Sequence, residues 1–295
     1  MSPPSRADLA GVTLGDALPV AVMGVINVSP ESFHAGSVYH GDEAVLKAAL
    51  GMVEAGAALI DVGARSSAPY LKTGISEGEE TERLVRAVGM LAAKLPAPVS
   101  ADTSRPAVAR AALQAGARVV NDVSALAEPA LARVVAEHDA GLVVGASAAR
   151  PAPAEGGPSE MGRVEAPILT VRGILERALA AARTAGVPEE RIVLDPGIGF
   201  FRDTGVPWHL WDVAVLAGLP ALAGLGRPLC VGVSRKSFIG AITGRADAGE
   251  RLAGSLAATA VAVWNGAALL RTHDVPDTLD AVRVAERLRN AARAL

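Results

Sequence analysis

Seven polar clusters each close or follow a short apolar run, and their side chains sort into two kinds of chemistry. Asn27 follows Val20–Ile26, Asp61 lies near the end of Ala58–Val62, and Asp102 follows Pro98–Ala101. Asn121 follows Arg118–Val120 and Asp195 follows Ile192–Leu194. Ser234, Arg235 and Lys236 follow Leu229–Val233, and Arg271 and His273 follow Ala268–Leu270. Asp102, Asn121 and Asp195 offer carboxylate and amide acceptors, suited to a neutral ring that presents several N–H donors. A guanidine-like edge, such as that of a 2-aminopyrimidinone, matches a carboxylate in the fork by which Arg pairs with Asp. Arg235, Lys236, Arg271 and His273 offer donors and positive charge, suited to phosphate or diphosphate. Ser234 is placed to begin a helix whose free N–H groups attract a further anion. Together these residues imply a ligand with a hydrogen-bonding heterocycle at one end and a diphosphate at the other.

Each of these residues also has a purely structural reading. Asp102 or Ser104 could cap a helix from Pro106, and Asn121 could satisfy a loop backbone. Asp61 could brace a rim through hydrogen bonds, and Arg271 and His273 could pair with Asp274 or another nearby acid. His34, His40, His138 and His209 have no partner at metal-ligand spacing and are expected to be packing or surface residues. Trp208 and Trp211 are expected to pack.

The elements that must carry these groups repeat. Gly141–Gly145 completes a set of eight strand-length apolar runs. Between them lie stretches of helical composition: Asp42–Ala55, Glu77–Lys94, Pro106–Ala115, Pro129–Asp139, Ile168–Ala185 and Ala253–Asn265. Gly56, Gly116, Gly186 and Gly266 sit where helices should end before the next strand. Ile192, Val193 and Leu194 show no alternation, as in a strand buried on both faces, and Pro196, Gly197 and Gly199 then stop regular structure. Eight strands alternating with helices predict an α/β fold, a single-domain (βα)8 TIM barrel. An open doubly wound sheet fits less well, because no G-x-G-x-x-G follows the first strand. The barrel is expected over residues 19–295, after an N-terminal extension of residues 1–18. The low-complexity segment Ala146–Ala166 is expected to be a loop over one end of the barrel. In a parallel barrel all the polar clusters meet at the carboxyl-terminal mouth.

Size and composition agree. The 295 residues suit one barrel of about 250 residues, and 51% hydrophobic content supplies a large core. A net charge of −3 and 3% aromatic residues argue against a nucleic-acid surface. No apolar stretch is long enough to span a bilayer and the first ten residues lack a secretory pattern, so a soluble cytoplasmic protein is expected. The single cysteine, Cys230, lies in an apolar run and is expected to be buried and inert.

The clusters closely resemble those of the dihydropteroate synthases, from about Val20 to Leu288. The matching stretches are Met23 to Phe33, Ile60 to Gly63, Asp102-Thr103, Asn121 to Ser124, Asp195 to Phe200, Ser234 to Gly240, and Arg271 to Asp274. The resemblance implies condensation of 6-hydroxymethyl-7,8-dihydropterin diphosphate with 4-aminobenzoate, releasing diphosphate, in folate biosynthesis. By match, Asp102, Asn121, Asp195 and Lys236 hold the pterin ring. Asn27, Arg271 and His273 hold the diphosphate, with Asn27 also a Mg²⁺ ligand. Ser234 lies near the aminobenzoate carboxylate, and Asp61, Ser67, Phe200 and Arg235 complete the substrate-contacting set. Asp102, Asp195, Lys236, Arg271 and His273 are the catalytic candidates, and a homodimer is expected.

Several loop positions depart from the family pattern. His34-Ala35-Gly36 stands where the family has S-D-G. Arg65 and Ala68 replace the usual Glu and Arg of G-E-S-T-R-P-G, and Gly145 to Ala148 replaces M-H-M-R. These departures keep two other readings in view, a pterin-binding relative without synthase activity and a pterin-dependent methyltransferase. The basic groups at 234–236 and 271–273 suit a diphosphate and would be idle for a methyl carrier.

Overall fold

In a computed structural model the described residues are 5–15, 17–29, 41–65, 74–147 and 166–294. The chain opens with an antiparallel hairpin, β1 (Arg6–Leu9) and β2 (Val12–Gly15). Then follow β3 (Ala21–Asn27), α1 (Asp42–Glu54), β4 (Leu59–Gly63), α2 (Glu77–Lys94), β5 (Val99–Asp102) and α3 (Pro106–Gln114). The second half runs β6 (Val119–Asp122), α4 (Ala130–Glu137), β7 (Gly141–Gly145), α5 (Pro167–Thr184), β8 (Ile192–Asp195) and α6 (Trp208–Ala217). It ends with β9 (Leu229–Val231), α7 (Ser237–Thr243), α8 (Leu252–Trp264), β10 (Ala267–Thr272) and α9 (Val275–Ala294). Strands β3 to β10 pair in parallel in chain order, and β10 closes on β3. The eight strands expected from the apolar runs are therefore all present, as one closed (βα)8 barrel. The four joint glycines, Gly56, Gly116, Gly186 and Gly266, all have positive φ. Helices α6, α7 and α9 go beyond the helical stretches read from composition.

Two apolar clusters build the molecule. The larger lies between the strands and the surrounding helices. The smaller fills the lower bore of the barrel with Met23, Leu59, Val119, Val143, Val193, Cys230 and Leu269. Leu9 and Leu14 of the hairpin are fully buried in this second cluster, so residues expected as an extension fold as a plug under the barrel. Burial pushes the Cys230 thiol up, in keeping with an inert core residue.

The lower cluster also explains the mouth. Side chains on one face of a strand recur every second residue. Two positions after inward-facing Leu59, Val119, Val193 and Leu269 come Asp61, Asn121, Asp195 and Arg271. Each of these four strands thus places an apolar side chain in the bore and a polar one above it, and the same pleat fixes both.

Candidate functional site at the barrel mouth

On one side of the mouth the charges are paired. Arg271 donates from Nε to Asp61 Oδ2 at 2.8 Å and from Nη2 to Asp102 Oδ2 at 2.8 Å. Asn121 Nδ2 donates to the same Asp61 oxygen at 3.0 Å. Asp61 is fully buried, and its Oδ1 has no hydrogen-bond partner among the described residues. Burial pushes the Asp102 carboxyl up to about 7, against the pull of Arg271, and the neighbouring Asp61 charge adds to the rise. Burial disfavours the Arg271 cation, but Asp61 and Asp102 outweigh it and raise its pKa. Asn27 ends β3 beside this group. A Cβ built on Gly63 would lie 3.4 Å from Asn27 Oδ1 and 3.5 Å from Asp102 Oδ2, so amide and carboxylate flank one glycine.

Beneath this side lies Glu80 of α2, 1% exposed. Its Oε1 accepts from Thr103 Oγ1 at 2.6 Å. Its Oε2 is 2.9 Å from Arg105 Nη1 and 3.5 Å from Arg65 Nε, charge contacts without hydrogen-bond alignment. Arg105 also donates to the Ile75 carbonyl at 3.2 Å. Glu80 therefore joins both flanks of the segment between β4 and α2 to the carboxyl-terminal end of β5. Its sequence context, an acidic first turn of a helix, looks like surface charge, so sequence reasoning passed over it.

On the opposite side the charges are held apart. Asp195 ends β8, and its Oδ1 accepts the Gly197 N–H at 2.7 Å. Burial raises its pKa, while that bond and Lys236 oppose the rise. The turn needs glycine. At Gly197, φ is +73° and a Cβ would meet the Ala146 carbonyl at 1.8 Å. At Gly199, φ is +87° and a Cβ would stand 3.2 Å from Lys236 Cδ and 3.3 Å from its Nζ. Lys236 Nζ lies 4.7 Å from the centre of the Phe200 ring. Burial lowers Lys236 to about 8, and Arg271 adds to the drop. No described acid lies within ion-pair range of this ammonium. Behind the turn Trp211 stacks on Phe201 at 4.9 Å, and Arg202 sits 4.3 Å over Trp208, so both tryptophans pack as expected.

Two expectations for the basic cluster need correction. Arg235 was grouped with the anion-binding residues, yet its guanidinium is spent elsewhere. It binds Asp274 through Nε at 2.8 Å and Nη2 at 2.7 Å, and its Nη1 donates to the carbonyls of Ala248 and Gly249. A φ of +54° turns the Arg235 backbone away from its neighbours' course, so residues 234 and 236 serve the mouth while 235 clasps the shell. Ser234 does not begin the helix. The helix α7 starts at Ser237 with Lys236 at its N-cap. Ser234 Oγ instead shares a 2.9 Å hydrogen bond with His273 Nδ1.

Of the structural alternatives, hydrogen-bond bracing by Asp61 and pairing of Arg271 with nearby acids are both present. Asp102 pairs with Arg271, and no side chain caps α3. Loop bracing beside Asn121 is done by Asp122, which accepts from Ser124 and Leu126 N–H groups. His138 contacts the Val134 carbonyl. Ser67, Ala35, Ala68 and most of Ala146–Ala166 lie outside the described residues.

Fold and mouth together define a class: a (βα)8-barrel enzyme with an acid and amide floor and a basic rim. The family model described as "Pterin binding enzyme" matches residues 23–273. A dihydropteroate synthase of Mycobacterium leprae is 41% identical over 282 residues, covering 90% of this chain and 92% of that protein. The dihydropteroate synthase of a Synechocystis species is 38% identical over 268 residues, covering 90% and 89%. The crystal structure of Xanthomonas albilineans dihydropteroate synthase with 4-aminobenzoic acid superposes with a TM-score of 0.82. It is 35% identical in sequence, covering 97% of this chain and 99% of that one. The chain belongs to the dihydropteroate synthase family, transferases of folate biosynthesis.

Proposed function

We propose that this chain joins 6-hydroxymethyl-7,8-dihydropterin diphosphate to 4-aminobenzoate or a related arylamine, with the residues of its mouth in the following roles. The observation that carries the reading is the meeting, on one rim, of Asp102, Asn121 and Asp195 with Arg271 and His273. Asp102, Asn121 and Asp195 receive the N–H groups of the pterin, and Lys236 with Phe200 borders the ring. In the reaction the methylene C–O bond breaks and its electron pair leaves with the diphosphate. The amine nitrogen forms the new C–N bond and then loses its proton to solvent. Positive charge develops on the pterin as the bond breaks, where the two carboxylates stabilise it. Arg271 and His273 neutralise the departing anion. An arylamine attacks as the neutral base, so no activating side chain is needed. Arg271 is bound to Asp102 in the structure described here, so entry of the pterin exchanges that ion pair for ring N–H bonds at Asp102.

Among the described residues no cluster of three or more His, Cys, Asp or Glu could hold a metal ion. A single neutral amide oxygen, Asn27 Oδ1 beside Asp102, suits Mg²⁺ only when diphosphate oxygens and waters fill the other positions. Bound that way, Mg²⁺ supplies charge neutralisation to the leaving group. Exposed Val261 and Trp264 on α8, with Val284 and Leu288 on α9, support pairing of two copies. No single helix among the described residues is long and apolar enough to cross a membrane.

Purified protein given Mg²⁺, the pterin diphosphate and labelled 4-aminobenzoate should yield labelled pteroate and free diphosphate. Pterin binding without labelled product at any aminobenzoate concentration would contradict the reading and leave a pterin-binding protein without synthase activity.

A further inference from the structure

The helix α6 buries Trp211, Val215 and Leu216 against the barrel, and among them Asp212. This carboxylate is 1% exposed, in a stretch that reads Leu-Trp-Asp-Val-Ala-Val-Leu. Taking a carboxylate out of water costs far more than packing a leucine there, so something must repay it. Its Oδ1 accepts the Gly199 N–H at 2.8 Å, while Oδ2 is buried with no hydrogen-bond partner among the described residues. Gly199 is the residue whose backbone lies against the Lys236 stem and ammonium. Asp212 is thus linked to Lys236 through one intervening glycine, and its negative charge acts on a lysine that has no ion-pair partner in range among the described residues.

We propose that Asp212 is a positioning residue for the reaction assigned above: it presses the Gly199 turn onto Lys236 and supplies the counter-charge that keeps this ammonium protonated beside the pterin ring. The charged groups acting on Lys236 are Asp195 from β8, Asp212 from α6, Arg202 from the turn between them and Arg271 from β10. Those acting on Asp212 are Lys236, Arg202 and His209. Two carboxylates thus oppose two guanidinium groups at Lys236, and loss of one carboxylate tips the balance toward the neutral amine.

The test separates this role from the reaction itself. The chain has four lysines, Lys47, Lys72, Lys94 and Lys236, so ¹³C reductive methylation labels four ε-amines besides the N-terminal amine, with Lys236→Arg assigning the signal of interest. In Asp212→Asn, which keeps an acceptor for Gly199 and removes the charge, the Lys236 midpoint should fall by about half to one pH unit. The alkaline limb of kcat/KM for the pterin diphosphate should move down with it, and KM for the arylamine should stay unchanged. Asp212→Ser is the second variant should the first fail to fold. An unmoved Lys236 midpoint overturns the proposal whether or not the protein turns over. A shifted midpoint alongside a wild type that makes no pteroate keeps the counter-charge role for Asp212 and fails the assigned reaction instead.

Discussion

The two sides of the mouth carry similar groups under opposite arrangements. On the β4, β5 and β10 side, Arg271 is locked to Asp61 and Asp102 at 2.7 to 2.8 Å, and Asn121 completes the pairing. On the β8 and β9 side, Asp195, Asp212 and Lys236 are close enough to shift one another, yet none forms an ion pair. The first side satisfies itself and must open to accept a ligand. The second is kept unsatisfied by packing on Gly199 and Phe200, ready for ligand N–H groups without prior rearrangement. Losing one partner therefore costs the fold more on the first side, and ring affinity rests more on the second.

The largest effect that would break this contrast is on stability. Arg271→Ala strands two buried acids, and removing one member of a buried pair costs about 3–5 kcal/mol. Urea unfolding should show a loss of this order together with loss of turnover. The variant's stability should also fall with pH over a wider range than that of the wild type. Asp102 titrates near 7 when folded, above its range in an unfolded chain, so the folded state holds the extra proton between roughly pH 4 and 7. Stability from this site therefore falls as pH rises through that window. Without Arg271 the folded value climbs further and the fall extends to higher pH.

Asp195→Ala should do the reverse. It leaves no ion pair broken, so the unfolding midpoint should change far less. Pterin affinity by calorimetry should drop about a hundredfold, the worth of one or two charge-assisted hydrogen bonds. A smaller effect sharpens the boundary of the mouth. Arg235→Gln should cost about 1–3 kcal/mol of stability through its lost bonds to Asp274 and two carbonyls, with KM for the pterin substrate nearly unchanged. Smallest is the pH effect: pterin binding should weaken above about pH 8 as Lys236 loses its proton.

Much of this was legible in the chain because a parallel barrel turns sequence order into spatial order. Once Ile192–Leu194 is a buried strand, Asp195 has nowhere to lie but the rim, and the same holds for Asp102, Asn121 and Arg271. What stayed hidden depends on backbone direction or on pairing across the molecule. Residues 234, 235 and 236 look alike as a polar run, and only the positive φ at Arg235 sends its side chain to Asp274. The strands β1 and β2 have four residues each, too few for alternation to stand out, and their apolar Leu9 and Leu14 gain meaning only inside the bore. Glu80 and Asp212 are acids on helices, and whether such an acid faces water or the site is settled by neighbours far away in sequence.

The central claim is that the mouth divides its labour, acids to the ring and bases to the leaving group. It is tested most directly by titrating a 6-hydroxymethylpterin and inorganic diphosphate separately into wild type, Asp195→Asn and His273→Ala. The account predicts that Asp195→Asn loses the pterin and keeps diphosphate, while His273→Ala loses diphosphate and keeps the pterin. Equal weakening of both ligands by both substitutions would contradict it.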